Sequence, residues 1–246
     1  MKQRLLVAVS AHADDAELNA GGLMAKWVAG GGQVAIVMTT NNCSGEFLQG
    51  HRLVRHLPAM TTVLRHREQD AAAAILGAKV YHLGWSQRHY WNGRQVVSLE
   101  HRARRRPPPG VAAQPLVIAF RQAAAVKRMR TLLLRLQPAR VVTQIPTDLD
   151  PEHHATACLV WQALAGTRVP LQYWTPGSSC VDGIFDPGYD CLEDISDYFD
   201  MKERLCACHA SQMTQVRWDM VRSRARLWGR RIGVRYAEPF KTANSV

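Results

Sequence analysis

The stretch Leu5-Leu6-Val7-Ala8-Val9-Ser10-Ala11-His12-Ala13-Asp14-Asp15-Ala16-Glu17 decides how this chain is read. Its first five residues are apolar, a run short enough for a buried strand. From Glu17 to Ala29 good helix formers follow, stopped by Gly30-Gly31-Gly32. Between strand and helix lies a polar loop of imidazole and carboxylate. In an open α/β sheet, ligands bind at the loops that leave the carboxyl ends of the strands, which puts His12, Asp14 and Asp15 where chemistry is done. An Asp-rich loop can also cap a helix and have no further task. The metal-site reading therefore needs a second cluster at the same sheet edge.

Working outward, Gln33–Thr40 reads as a second strand, and the strand-helix-strand unit is expected to be parallel and right-handed. The turn after the first strand is acidic and has no GxGxxG, so it would repel a pyrophosphate; a dinucleotide cofactor is excluded. The loop Asn41-Asn42-Cys43-Ser44-Gly45-Glu46 leaves the second strand at the same edge, with Asn41 and Ser44 as candidate substrate contacts. A helix is predicted over 63–76, with Arg65, Arg67 and Glu68 exposed or lining the site, then a short strand over 80–83. The aromatic loop from Gly84 to Trp91 offers Trp85 either to a sugar ring or to loop packing. Residues from about 86 to 115 read as an irregular excursion. A helix over about 119–136 and a strand over 140–145 follow it.

The second cluster comes directly after that strand: Asp148-Leu149-Asp150-Pro151-Glu152-His153-His154. Asp150 suits an N-cap and Pro151 the first helical position, which places His153 in the first turn, facing the strand ends. Two loops of acid and histidine thus leave two strands at one edge. A catalytic zinc ion takes three protein ligands, commonly His and carboxylate, and keeps one position for water. His12, Asp15 and His153 form such a set, with Asp14 free to act as general base. The expected chemistry is hydrolysis of an amide or ester. Zinc is the first choice of metal, although the same donors suit iron, cobalt or nickel.

The 246 residues, with 47% hydrophobic content, suffice for one large α/β domain over 1–246. No apolar run is long enough for a membrane span, and the first strand is too short for a signal peptide, so the cytoplasm is the expected location. Six scattered cysteines without a CxxC pair read as reduced thiols. The net charge of +11 is carried largely by arginine at 101–106 and over 217–235. The first run leads into Pro107-Pro108-Pro109-Gly110 and reads as a solvated loop. The second interleaves arginine with Val216, Trp218, Met220, Val221, Leu227 and Trp228, as on a helix with one buried face. Neither resembles a base-reading motif, so nucleic acid is not the expected partner; an anionic or phosphorylated small molecule suits the charge.

Ala11-His12-Ala13-Asp14-Asp15-Ala16-Glu17-Leu18 with Gly21-Gly22 resembles the AHPDDxE signature of the LmbE-like, PIG-L-type zinc-dependent de-N-acetylases. Asp148-Leu149-Asp150-Pro151-Glu152-His153 resembles the family's D-x-H-P-D-H. Asp194-Ile195-Ser196-Asp197, Lys202 and His209-Ala210-Ser211-Gln212 resemble its DIS…K…HxSQ segment, and Gly233–Phe240 its closing stretch. The resemblance implies a Rossmann-like α/β fold, a mostly parallel central sheet with helices on both faces. It also implies Zn2+ held by His12, Asp15 and His153, Asp14 as base, and removal of acetyl from an N-acetylglucosamine-type amino sugar. Two positions depart from the family. Ala13 replaces a proline. Asp150 stands where the family has a histidine that steadies the tetrahedral intermediate, a task an ionised carboxylate cannot perform. His154, His209 and Arg67 are the candidates to replace it. The alternatives are an amidase of the same mechanism acting on a non-sugar amide, and a metal-binding but impaired relative that serves as a binding module. A homo-oligomer is left open.

Overall fold

The structure, a computed structural model, describes residues 4–49, 52–99, 107–174 and 188–243. In chain order its elements are β1 (Leu5–Ser10), α1 (Asp15–Ala29), β2 (Gln33–Thr40), the hairpin β3 (Phe47–Gln49) and β4 (Arg52–Val54), and α2 (Pro58–Leu76). There follow β5 (Lys79–Trp85), a second hairpin β6 (His89–Trp91) and β7 (Val96–Ser98), α3 (Leu116–Ala119), α4 (Ala123–Leu136), β8 (Arg140–Gln144) and α5 (Pro151–Leu164). The chain closes with β9 (Leu171–Trp174), β10 (Cys191–Asp194), α6 (Phe199–Ala207), α7 (Gln215–Arg231) and β11 (Ala237–Thr242).

Seven strands form one sheet in the order β10-β11-β9-β8-β1-β2-β5. β9, β8, β1, β2 and β5 run parallel, while β11 is antiparallel to β9 and β10. Side chains alternate along β1, so Leu6 and Ala8 face one way and Val7 and Val9 the other. The first pair packs among Leu23, Met24, Ala72 and Leu205 of α1, α2 and α6; the second packs among Met129, Leu133, Leu159 and Val160 of α4 and α5. Each fully buried Val or Leu contributes about 1.5–3 kcal/mol. An apolar strand covered on both faces belongs at the centre of a parallel sheet, and this is the expected Rossmann-like architecture.

Strand order reverses beside β1. The chain steps outward through β2 and β5 and then returns to lay β8 against β1's other edge. The following helices pack on opposite faces, α1 on one and α5 on the other, which opens a crevice between the loops at the carboxyl ends of β1 and β8.

Midway along α1 a side-chain ion pair enters the helix. Lys202 Nζ donates to Leu18 O at 2.7 Å, and the Glu238 carboxylate accepts from Gly22 N–H at 2.9 Å and Leu23 N–H at 2.8 Å. Leu18 O and Gly22 N–H are the acceptor and donor that an undisturbed α-helix pairs with each other. Lys202 and Glu238 are themselves bonded at 2.5 Å. Glycine is required at 22 because a Cβ there would lie 2.6 Å from Ile195 Cδ1.

Several sequence expectations change. α2 begins at Pro58, five residues before the predicted start. The excursion at 86–115 contains the β6–β7 hairpin, whose Tyr90 is buried against Cys43, Val97 and Val111; strands of three residues carry too little periodicity to be seen in sequence. On α7, Val221, Ala225 and Trp228 form the buried stripe, whereas Val216 and Leu227 point outward. The arginines at 101–106 and Cys180 lie outside the described residues. Among the described residues, no helix is long and apolar enough to cross a membrane.

Candidate active site

Both predicted loops meet in the crevice. Asp15 is the first residue of α1, and its Oδ2 accepts from His12 N–H at 2.7 Å and from Gln144 Nε2, at the end of β8, at 2.8 Å. His153, in the first turn of α5, is placed by Asp150, the N-cap, whose Oδ1 accepts from the backbone N–H of Glu152 and His153. His153 Nδ1 lies 2.6 Å from Asp148 Oδ2, which aims Nε2 into the crevice. There His153 Nε2 lies 3.1 Å from His12 Nδ1 and 3.3 Å from Asp15 Oδ1, and His12 Nδ1 lies 3.6 Å from Asp15 Oδ2.

These separations suit a common metal ion. Bonds of about 2.0–2.1 Å in tetrahedral geometry put neighbouring donors roughly 3.4 Å apart. His12, Asp15 and His153 thus form a His/Asp site that could hold a metal ion. A carboxylate on the far nitrogen of a ligand histidine fixes its tautomer and strengthens it as a donor, and Asp148 stands in that relation to His153. Electrostatics agree. Burial opposes a charge on His153, yet Asp15 and Asp148 outweigh it and raise the imidazole well above its ordinary value. Burial likewise opposes ionisation of Asp15, and His153, followed by His12, holds that carboxyl below its ordinary value. The carboxylates around His153 thus favour positive charge at this point of the pocket.

Asp14 precedes α1 with φ at +100°, a left-handed conformation in which an Asp is tolerated better than a branched side chain. Four contacts hold this turn. Asn42 Oδ1 accepts from Ala13 N–H at 2.8 Å, and Arg65 of α2 donates to Ala13 O. Arg65 also pairs with Asp14 Oδ1 at 3.2 Å, and Arg217 of α7 with Asp14 Oδ2 at 2.8 Å. Each carboxylate oxygen is thereby oriented and keeps a further lone pair.

A sequence profile of the PIG-L family, described as GlcNAc-PI de-N-acetylase, matches residues 7–164, the span from β1 through α5 that carries both loops. The chain belongs to the PIG-L family. Solved structures agree on the fold. This PIG-L chain matches an N,N'-diacetylchitobiose deacetylase from Pyrococcus horikoshii with a TM-score of 0.72 at 18% identity, over 98% of this chain and 84% of that one. It matches the 4-carboxy-2-hydroxymuconate hydratase GalB of Pseudomonas putida KT2440 with 0.71 at 20%, over 99% and 98%. It matches the conserved protein TT1542 of Thermus thermophilus with 0.69 at 23%, over 98% and 95%. At these identities the likeness is one of fold, and the fold carries both a deacetylase and a hydratase.

The remaining predicted residues of this PIG-L protein fall in and out of the cleft. Ser44 lines it, and so does Asp150, whose carboxyl is lowered by His12 and His153 against the effect of burial. Asn41 does not, because its Nδ2 is turned to Gly110 O; the neighbouring Asn42 lines the cleft instead. Trp85 is buried in the core beside Leu116 and Met129, so of its two sequence roles the structure shows packing. Arg67 is exposed on α2, and Arg65, half a turn earlier, is the α2 arginine that lines the cleft. His154 is turned away, with Nδ1 2.6 Å from Pro146 O and its ring edge-on to Phe120. His209 is fully buried, 3.3 Å from Glu17. None of the three candidates for the missing family histidine reaches the cleft. Reasoning from sequence passed over Arg217, Gln144 and the role of Asp148. Asp148 alone left a local signal, a carboxylate five residues before a ligand-type histidine across a helix start.

Proposed function

We propose that this PIG-L protein is a zinc-dependent deacetylase that removes the N-acetyl group from an N-acetylglucosamine-type amino sugar. The observation that carries the reading is the clustering of His12, Asp15 and His153 donors beside Asp14 in the cleft at the strand-order reversal. Family membership supports the reaction class. The cleft, of about 1250 Å3 with its open mouth included, has room for a sugar and more.

His12, Asp15 and His153 would hold the zinc, which when bound supplies Lewis acidity and lowers the pKa of water at the site. The other roles fall to the chain's own groups. Asp14 takes a proton from the attacking water on a carboxylate oxygen. The water oxygen bonds to the amide carbon, the C–N bond breaks, and the proton on Asp14 passes to the departing nitrogen, giving a free amine and a carboxylic acid, which ionises in water. Arg217, whose guanidinium lies in the cleft beside Asp14, meets the negative charge that develops on the carbonyl oxygen. That role falls to it because Asp150 is an acceptor only. The described cysteines are free thiols, which suits a reducing cytoplasm.

The test is release of free amine from N-acetylglucosamine glycosides, with and without a chelator, followed by restoration of zinc. Release that a chelator stops and zinc restores is the expected result. Protein that holds one equivalent of zinc and releases amine from no glycoside would point to the non-sugar amidase or the binding module.

A further inference from the structure

The site accounts for only part of the arginine-rich stretch between 217 and 235. α7 turns Arg217, Met220, Val221, Ala225 and Trp228 toward the cleft. Its opposite face is exposed, and along it Arg222, Arg226 and Arg230 recur at steps of four residues, one row on a helix. Arg231 and Arg235, exposed as well, carry the basic surface past the end of the helix.

Ion pairing does not neutralise this surface. Arg222 is bonded to Glu203 at 2.6 Å, but among the described residues Arg226, Arg230, Arg231 and Arg235 are in no ion pair. Three of these four lie over aromatic rings instead. Arg226 and Arg235 are 5.9 Å and 5.1 Å from the centre of the same ring, Tyr236, and Arg231 is 4.3 Å from that of Trp228. Tyr236 is stacked on Phe199 at 3.8 Å, so the platform that draws two like charges together is firmly held. Like charges four residues apart destabilise a helix. The negative end of α7 offsets this for Arg230 and Arg231, but Arg226 lies more than a turn before that end and Arg235 lies beyond it.

Between these cations stand apolar side chains that the core does not take up. Leu227 is 50% exposed and Ile232 42%, each next in sequence to an arginine. A duplex nucleic acid would meet the guanidiniums with phosphate and leave both apolar side chains in water. An anionic bilayer surface offers headgroup phosphates and carboxylates to the guanidiniums, and the acyl boundary to Leu227 and Ile232.

We infer that the C-terminal half of α7 and the turn after it dock the protein on an anionic lipid surface through Arg226, Leu227, Arg230, Arg231, Ile232 and Arg235. The attachment is peripheral, with the helix lying on the surface. The other face of the same helix walls the cleft, so docking brings the cleft to within about one helix diameter, roughly 10–12 Å, of the headgroups. The chain's net charge of +11 assists approach to such a surface. This role goes beyond the deacetylase reading and does not rest on it.

The experiment sediments the full chain with vesicles of phosphatidylcholine alone and of phosphatidylcholine mixed with phosphatidylserine. Binding is expected to the mixed vesicles and not to the neutral ones, and it should weaken as salt is added. Each guanidinium at the surface accounts for about fivefold in partition, so the combined variant Arg226→Gln, Arg230→Gln and Arg231→Gln should bind about 100-fold more weakly. Arg226→Lys, Arg230→Lys and Arg231→Lys together should keep most of the binding, and thermal melts check that both variants fold. Leu227→Ser with Ile232→Ser leaves the charge unchanged and should still lower binding to the mixed vesicles by about tenfold. Equal binding to neutral and anionic vesicles would overturn the inference, and so would full binding by the glutamine variant. Binding to duplex DNA at a salt concentration where no vesicle is bound would overturn it in favour of nucleic acid. No turnover enters any of these readouts, so each outcome leaves the deacetylase reading to its own test.

Discussion

Asp14 and Arg217 are 203 residues apart in the chain and 2.8 Å apart in space. Asp14 comes from the loop after β1, and Arg217 from the first turns of α7. The contact sets the direction of the Asp14 carboxylate, the proposed base, and places a guanidinium beside it. Replacement of Arg217 by Gln is expected to lower kcat/KM about tenfold, mostly in kcat, because misplacement of a reacting group is felt chiefly in turnover. The pair is partly exposed and worth about 1 kcal/mol, so the melting temperature should fall by no more than about 4 °C. Amine-release kinetics and a melt on the same preparation check this. Equal loss in kcat and in stability would point to a structural role alone.

Asp14→Asn is the variant that tests the proposed base. Asn tolerates the left-handed backbone at this position, so the turn is kept. Turnover should fall by at least about 100-fold while zinc still binds at one equivalent. Combined with Arg217→Gln it should lose little more, since the two act as a unit. Additive losses would separate the two residues.

Asp148 acts on His153 and not on substrate. Asp148→Asn should weaken zinc binding by roughly 10–100-fold, read by competition with a chromophoric chelator. At saturating zinc most of the turnover should return. Unchanged affinity would remove Asp148 from the site.

Gly22→Ala should destabilise the protein although alanine is the better helix former by about 1 kcal/mol. The added methyl meets Ile195, which is fully buried, and overpacking of this kind costs about 1–3 kcal/mol. Ile195→Val in the same chain should recover part of the loss. Urea unfolding of the single and double variants gives the answer, and a more stable Gly22→Ala would refute the contact.

Glu193 provides a pH dependence remote from the site. Burial would raise its carboxyl, but the bond to Arg140 at 2.8 Å and that to Lys26 at 3.1 Å outweigh burial and hold it below its ordinary value of 4.5. A depressed carboxylate contributes stability above its unfolded value, and that stability is lost as pH falls through the folded one. Glu193→Gln should therefore cost about 1 kcal/mol at neutral pH, and the gap from wild type should close as pH falls below 4.5 and through the lowered folded-state value. A gap that stays constant across that range would show that the loss is one of packing.

What could be read from the sequence was local. The apolar strand, the acid-histidine loop and the glycine stop sit within one stretch, and they fix β1, α1 and β2 and with them the sheet centre. His12, Asp15 and His153 could be named because each lies in a loop that leaves a strand end or in the first turn of the helix that follows it. Arg65 was within reach as well. The buried positions Thr61, Arg65, Glu68, Gln69, Ala72, Ala73 and Leu76 form one helical stripe on α2, which puts Arg65 inside and Arg67 outside. The apolar end of that stripe is plain in sequence and its polar end is not, because polar residues there bind partners from other elements: Arg65 the β1 loop, Glu68 the N–H and hydroxyl of Ser211. Trp85 was ambiguous for the opposite reason, since an aromatic residue serves a core and a ligand equally well. Arg217 had no local signal, and only the docking of α7 gives it a role.

The Lys202–Glu238 pair inside α1 has a consequence for the order in which the molecule can be made. α1 leaves the ribosome well before α6 and β11, so the backbone groups at Leu18, Gly22 and Leu23 find their final partners only when residues 202 and 238 arrive. A nascent chain that stops after α5 holds the whole family-matched span and every candidate metal donor, but its first helix is still unfinished. The surroundings of the candidate site are therefore completed by segments synthesised after α5, namely α6, α7 and β11. Contacts across more than two hundred residues close slowly, so the two loops that carry the candidate metal donors are complete in sequence well before they are held in place.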